Sequence, residues 1–223
     1  MGDFILGIDD AGRGPVIGPM ILAGCLVDEA TEKEFKKLGI KDSKELTPKR
    51  REFLANIIRQ KAENFEVVMA FPNEIDEKLT NGTNLNVLEA IKIAEIINKI
   101  NKGYNKIKVI IDCPSVGIGK WTDILKMKIE NLSNLEIVCE HKADKNHVAV
   151  SAASILAKST REKEMDKLRE KYGTQIGSGY TSDPATIRFL ELNADTQNDS
   201  GIFRKSWDTW KKASEKIAQR KLF

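Results

Sequence analysis

The sequence has no apolar run that approaches the roughly 20 residues needed to cross a bilayer, and its first residues lack a basic stretch followed by an apolar one. No membrane span and no secretory leader are expected, and the reading is a cytoplasmic protein. Cysteine is scarce. Cys25, Cys113 and Cys139 lie far apart, in or beside apolar runs, with no metal-ligand spacing among them. That excludes a thiolate metal site and a disulfide framework, and points to free, buried thiols in a reducing compartment. Internal repeats and low-complexity tracts are also missing, so a solenoid or a disordered chain is not expected.

The balance that is present, 41% hydrophobic and 31% charged residues over 223 positions, belongs to globular proteins. The length suits one main domain with a small appendage. Charge is unevenly placed. Residues 204–221 carry seven Lys/Arg against Asp208 and Glu215, a net +5, so the overall +3 leaves −2 for the rest. A basic tail beside a near-neutral body suits a polyanionic partner, since Lys and Arg contacts to phosphate supply most sequence-independent nucleic-acid affinity. A solvated helix face is the commoner origin of such a run.

Strand-like runs rich in Ile and Val occur at 4–9, 20–27, 65–71, 107–112 and 135–139. Helical patterns cover 31–37, 84–102, 118–130, 148–172, 184–192 and 203–219, and a further helix runs from Thr47-Pro48, an N-cap followed by proline at the first helical position, to about Lys61. The last two strands each follow a helical segment. An α/β fold with a five-stranded mixed sheet, antiparallel first and parallel later, flanked by helices, is therefore expected. Stretches 173–183 and 193–201 read as loops. The expected division is a catalytic domain over 1–192 and a small C-terminal helical extension over 193–223.

The sharpest local signal is Gly7-Ile8-Asp9-Asp10-Ala11-Gly12-Arg13-Gly14-Pro15, at the end of the first strand. Strand side chains alternate faces, so both acids reach one site only if the strand ends or bends there, or if one acts through its backbone carbonyl. Asp112 closes the fourth strand, and Asp144 closely follows the fifth. Taken singly, each aspartate is more often structural. Together, carboxylates at three strand ends can converge on one sheet edge, where like charges are costly without a cation. Hard oxygen ligands point to Mg²⁺ or Mn²⁺. Two such ions about 4 Å apart would activate water and stabilise the leaving oxygen in phosphodiester hydrolysis.

These and further motifs resemble type 2 ribonuclease H (ribonuclease HII) of archaeal type along nearly the whole chain. They are Gly7–Pro15, Lys41-Asp42-Ser43-Lys44, Ile111-Asp112, His141-Lys142-Ala143-Asp144, the run from Val150 to Lys158, and Gly177-Ser178-Gly179-Tyr180-Thr181-Ser182-Asp183-Pro184. Their ordered combination is far more specific than any one. The resemblance implies an RNase H-like fold and a metal site of Asp9, Asp10, Asp112 and Asp144. It also implies endonucleolytic cutting of RNA in RNA/DNA hybrids or at ribonucleotides embedded in DNA, leaving 5′-phosphate ends. The backbone of Gly12, Arg13 and Gly14, with Tyr180, would read the ribose 2′-hydroxyl, the group that marks a ribonucleotide. Ser43 and Lys44 would touch the duplex backbone.

Two positions depart from the family pattern. Asp10 stands where glutamate is usual, and Thr181 where proline is usual, which leaves the loop beside Tyr180 less restrained. If the side chain at 10 is an essential ligand, activity or metal preference should change, whereas a backbone role makes the substitution mild. His141 and His147 invite a proton-shuttle role, but structural roles are commoner and neither joins the catalytic set. Trp207, Trp210, Ser214 and Ile217 fall on one side of a helix, which predicts packing against the body. The terminal Leu222-Phe223 suggests sliding-clamp binding, although fraying ends are commoner. A monomer is expected. The alternatives are an inactive binder of RNA/DNA duplexes and, because Gly7-Ile8-Asp9 also resembles a phosphate-binding start, an actin-like ATPase or sugar kinase, for which the chain is short.

Overall fold

Strands β1 (Phe4–Ala11), β2 (Met20–Val27), β3 (Asn64–Ala70), β4 (Ile107–Asp112) and β5 (Leu135–Glu140) form one sheet in the order β3-β2-β1-β4-β5. The computed structural model describes residues 4–40 and 46–220, the last by its backbone alone. Ser43, Lys44, Leu222 and Phe223 lie outside the described residues. β1 pairs antiparallel with β2 and parallel with β4, and β4 is parallel to β5. This is the α/β class and mixed sheet that the apolar runs imply.

The helices are α1 (Glu29–Lys37), α2 (Pro48–Lys61), α3 (Pro72–Thr80), α4 (Leu85–Ile100), α5 (Ile118–Lys126), α6 (Ala143–Asn146), α7 (Val148–Tyr172), α8 (Pro184–Asn193) and α9 (Asp208–Arg220). Their starts follow local chemistry. The Asp28 carboxylate accepts from the Thr31 amide at 2.8 Å, so α1 starts earlier than its apolar pattern suggests. Thr47 caps α2 with Pro48 in its first turn. The segment that becomes α3 has no side-chain cap, carries Pro72 in its first turn and buries only Pro72 and Ile75. α5 ends four residues short of the expected 130.

Contacts divide the chain into two compact units, residues 1–11, 21–69 and 86–160 in one, and 12–20, 70–85 and 161–223 in the other. In the first, one sheet face packs under α1, α2 and the amino-terminal part of α7 through Ile21, Ala23, Cys25, Val27, Phe35, Leu54, Ile58, Ala149, Ala153 and Leu156. Gly7 lies at the closest approach. A Cβ there would fall 2.1 Å from the Ala149 carbonyl carbon and 2.2 Å from the Val150 nitrogen, both backbone atoms. The small alanines of α7 and the missing side chain at 7 let helix and strand backbones nearly touch.

In the second unit, Val16, Ile17, Met165, Ile176, Phe189, Phe203 and Trp210 form the core, with the Phe203 and Trp210 rings 4.6 Å apart. Here the sequence expectation needs correcting. Residues 203–207 are not helical: Phe203 bridges to Ile17, the Arg204 amide donates to the Val16 carbonyl at 2.8 Å, and the helix begins only at Asp208. Trp207 therefore precedes the helix rather than sharing its face. Arg204, one of the basic charges of the tail, is fully buried and does not belong to a solvated phosphate-binding face.

The Gly7 contact yields a stability expectation. Gly7→Ala forces two backbones apart, where no side chain can swing away, and should cost about 3 kcal/mol or more, at or above the upper end of overpacking penalties. A denaturant midpoint within error of the parent protein would show that α7 does not pack this closely on β1.

Candidate active site

The register of the sheet assembles the acids. Ile8 lies opposite Ile111 in the last pair between β1 and β4, so Asp9, within β1, and Asp112, at the end of β4, leave that pairing side by side. Asp112 is in turn opposite Glu140, the last residue of β5. The chain then turns through Lys142 into α6, which carries Asp144. The carboxyl ends of parallel strands are where open α/β sheets commonly place their sites. One oxygen from each of Asp9, Asp112 and Asp144 lies within 4.8 Å of the others, and Asp9 and Asp144 are buried.

Two devices hold this group. Lys142 is, among the described residues, the one non-glycine in the left-handed region, at φ 60°. Its unfavourable backbone aims the Lys142 amide at Asp112 Oδ1 at 2.8 Å, with the Ala143 amide at 3.4 Å from the same oxygen. From α7, the fully buried Ser154 hydrogen-bonds the Asp9 side chain, and the Ser151 hydroxyl donates to the Asp144 carbonyl. Sequence reasoning points to neither Lys142 nor Ser154 individually. The left-handed turn carries no glycine to betray it, and Ser154 sits within a run that reads as helix core.

Asp10 is not a member of the three-acid group. β1 continues to Ala11 and pairs Asp10 with Leu22, so the strand neither ends nor bends between the two acids, and alternation starts their side chains on opposite faces. The influence of Asp10 on Asp9 is nonetheless large. Burial first, then the Asp10 charge and, less strongly, that of Asp112, push the Asp9 carboxyl from 3.8 up to about 8, against the pull of Ser154 and of the Asp10 amide, which donates to Asp9 Oδ1 at 2.8 Å. A carboxyl this costly to ionise within a nest of oxygen ligands is what a hard divalent cation relieves, so the donor set fits Mg²⁺ or Mn²⁺.

The two histidines hold the ends of β4 and β5. His147 Nε2 lies 2.9 Å from Glu140 Oε1, and His141 Nδ1 lies 3.0 Å from the Cys113 carbonyl oxygen.

Gly12, Arg13, Gly14 and Tyr180 belong to the second unit. Gly12 has φ +79°, and a Cβ there would meet the Arg161 side chain at 2.6 Å. Gly14 is exposed, and a Cβ there would meet nothing within 4 Å. Its lack of a side chain answers no internal packing need. Arg161, itself buried, donates to the Pro19 carbonyl at 2.8 Å and to the Ser178 carbonyl at 3.3 Å, and its guanidinium carbon lies 5.5 Å from the centre of the Tyr180 ring. The Gly179 carbonyl accepts from the Val16 and Ile17 amides at 2.9 and 3.2 Å. The glycine loop and the tyrosine loop are thus tied together, with Tyr180 left 43% exposed. Thr181 does not leave its turn unbraced, because the Asp183 carboxylate accepts from the Ser178 amide at 2.7 Å and the Ala185 amide at 2.9 Å.

The raised Asp9 value has a signed consequence for stability. The native state favours the neutral acid, so the contribution of this group is fully present below its ordinary value near 3.8 and is lost as pH rises through about 8. Without divalent cation, Asp9→Asn should stabilise the fold by on the order of a few kcal/mol at pH 8, with the gain fading toward pH 4. Thermal unfolding in EDTA across that range checks this, and an Asn variant less stable than its parent at pH 8 would contradict it.

Comparison with known proteins agrees with the geometry. The family model described as ribonuclease HII matches residues 6–210. The ribonuclease HII of Thermococcus onnurineus is 42% identical over 96% of this chain and 92% of that protein. Among solved structures, ribonuclease H2 from Pyrococcus horikoshii OT3 superposes with a TM-score of 0.85 at 36% identity, covering 96% of this chain and 99% of that one. The ribonuclease HII of Archaeoglobus fulgidus, solved in complex with PCNA, gives 0.80 at 36% identity over 92% and 95% of the two chains. Its matched length, the identity of these relatives and its fold together establish that the chain belongs to the ribonuclease HII family.

Proposed function

We propose that this protein is a metal-dependent endoribonuclease that hydrolyses the RNA strand of RNA/DNA hybrids and cuts at ribonucleotides embedded in duplex DNA. The observation that carries the reading is the convergence of Asp9, Asp112 and Asp144 at the carboxyl end of the sheet, within a chain of this family. Asp9, Asp112 and Asp144 would hold the divalent cations, with Asp10 as the fourth acid, acting on Asp9 through its charge. Two ions of Mg²⁺ or Mn²⁺ would supply the Lewis acidity for in-line phosphodiester hydrolysis. Water adds to phosphorus, the bond to the 3′-oxygen breaks, and the products carry 5′-phosphate and 3′-hydroxyl ends. The electrostatic demand of the acids keeps the reaction dependent on divalent cation.

Selection of the scissile position falls to Gly12, Arg13, Gly14 and Tyr180. A backbone without a side chain at 14 allows a ribose to approach closely, and an exposed aromatic ring beside a guanidinium offers an apolar face for the sugar and a hydroxyl for hydrogen bonding. Ser43 and Lys44 are assigned to the duplex backbone on the motif alone. A sliding clamp is the proposed partner, through the C-terminal residues. Its support is the PCNA complex of the Archaeoglobus fulgidus relative. Retention of clamp binding after deletion of Leu222 and Phe223 would remove the C-terminal assignment.

The activity is tested with a labelled DNA duplex containing one ribonucleotide, an all-DNA duplex, Mg²⁺ or Mn²⁺, and an EDTA control. Cutting should require both the ribonucleotide and the metal, leave a 5′-phosphate, and fall by at least about a hundredfold in Asp9→Asn, as expected when a ligand of the reacting centre is removed. Folded protein that binds the duplex but never cuts it would replace this reading with that of an inactive binder, and cutting restored by Asp10→Glu would trace the inactivity to the shortened acid.

A further inference from the structure

Within the second unit one side chain is used in an unusual way. Arg204 is the largest fully buried side chain among the described residues, and its guanidinium is aimed at backbone rather than at solvent. Nη2 donates to the Gly12 carbonyl at 2.6 Å and to the Gly18 carbonyl at 2.9 Å, Nη1 donates to the Arg13 carbonyl at 2.7 Å, and Nε donates to the Gly18 carbonyl at 3.1 Å. Next to it, Trp207 lies with its ring 5.0 Å from the guanidinium carbon and donates from Nε1 to the Gly14 carbonyl at 3.0 Å. All three carbonyls of the glycine loop are therefore held by two side chains of one short segment.

That segment is itself anchored. Asp76 of α3 accepts from the Lys205 amide at 2.7 Å, from the Ser206 amide at 2.9 Å and from the Ser206 hydroxyl. The anchor follows Arg204 directly, so it fixes where the guanidinium starts. A mixed backbone and side-chain grip beside one residue is more than core filling requires.

The consequence follows from peptide geometry. A trans peptide is planar, with its carbonyl and the next residue's N–H pointing in opposite directions. Holding the Gly12 carbonyl on Arg204 therefore turns the Arg13 N–H away from it, and holding the Arg13 carbonyl does the same for the Gly14 N–H. We propose that Arg204 is a positioning residue for ribonucleotide recognition, presenting the Arg13 and Gly14 amides to the 2′-hydroxyl, with Trp207 steadying the third peptide plane. The inference rests on the assignment of residues 12–14 and Tyr180 to the ribose. Lysine cannot replace arginine here, because a single ammonium lacks the planar fork that spans three carbonyls.

The test is equilibrium binding, with Ca²⁺ in place of Mg²⁺ to suppress cutting, of a duplex containing one ribonucleotide and of the same duplex in all-DNA form. The readout is the ratio of the two affinities for the parent protein, Arg204→Lys and Trp207→Phe, alongside the thermal shift that each gains from Mn²⁺. Arg204→Lys should lose roughly tenfold in the ratio, the worth of one well-aligned hydrogen bond. Trp207→Phe should lose a smaller part. Affinity for all-DNA duplex and the Mn²⁺ shift should stay close to the parent values. Equal weakening on both duplexes, or a parental ratio in folded Arg204→Lys, overturns the proposal. If Arg204→Lys does not fold, a parental ratio in Trp207→Phe overturns it instead. A parent protein that makes no distinction between the duplexes removes the ribose assignment itself, and this proposal with it.

Discussion

The arrangement of this protein turns on one costly interaction, the crowding of three carboxyl groups, two of them buried, where the central strand passes the end of β4. Asp9 and Asp144 are nearly sealed from water, and Asp112 ends the strand next to that of Asp9. Much of the first unit serves to hold them there. Parallel pairing of β1 with β4 sets Asp9 beside Asp112, the left-handed turn at Lys142 aims amides at Asp112, and α7 sits close enough to β1, through Gly7, for Ser154 to reach Asp9. Each of these features is unfavourable or restrictive alone. Together they crowd three acids at one place, a cost to the fold that a bound divalent cation would offset.

The second unit uses a different logic, in which backbone groups rather than charges are arranged. Two buried arginines, Arg161 and Arg204, hold the carbonyls of Gly12, Arg13, Ile17, Gly18 and Pro19 and, in the tyrosine loop, that of Ser178, so the direction of those peptides is set by side chains from later in the chain. Burying a guanidinium is tolerable when its donors are satisfied, and carbonyls at a glycine-rich turn offer many acceptors in a small space. Asp76 and the aromatic core of Phe203 and Trp210 keep the segment carrying Arg204 in place.

Much of this is legible in the sequence, for identifiable reasons. The strand runs are legible because apolar continuity survives in any context, and the long helix α7 because Val148–Tyr172 contains neither glycine nor proline to interrupt it. The acids at strand ends are legible because a carboxylate that closes an apolar run stands apart from the solvated charges of helix faces. Helix α3 is not, since its nine residues bury only Pro72 and Ile75 and no side-chain cap marks its start. Residues 203–207 read as helix because their spacing is compatible with one, whereas pairing of Phe203 with Ile17 claims the backbone first. The role of Arg204 is hidden by its neighbours. In a run of basic residues an arginine looks solvated, and nothing local says which of them turns inward. The distinction between Asp9 and Asp10 likewise depends on how far β1 continues, which the following glycines obscure.

The central claim, that the buried acids are a cation site with one proton to give up, is tested most directly by calorimetric titration of Mn²⁺ at pH 7 in two buffers of different ionisation enthalpy. With Asp9 held near 8, binding should release close to one proton per protein, a release that shrinks toward zero well above pH 8 and disappears in Asp9→Asn. Binding at pH 7 with no proton release, or no binding by the folded parent protein, would contradict the account.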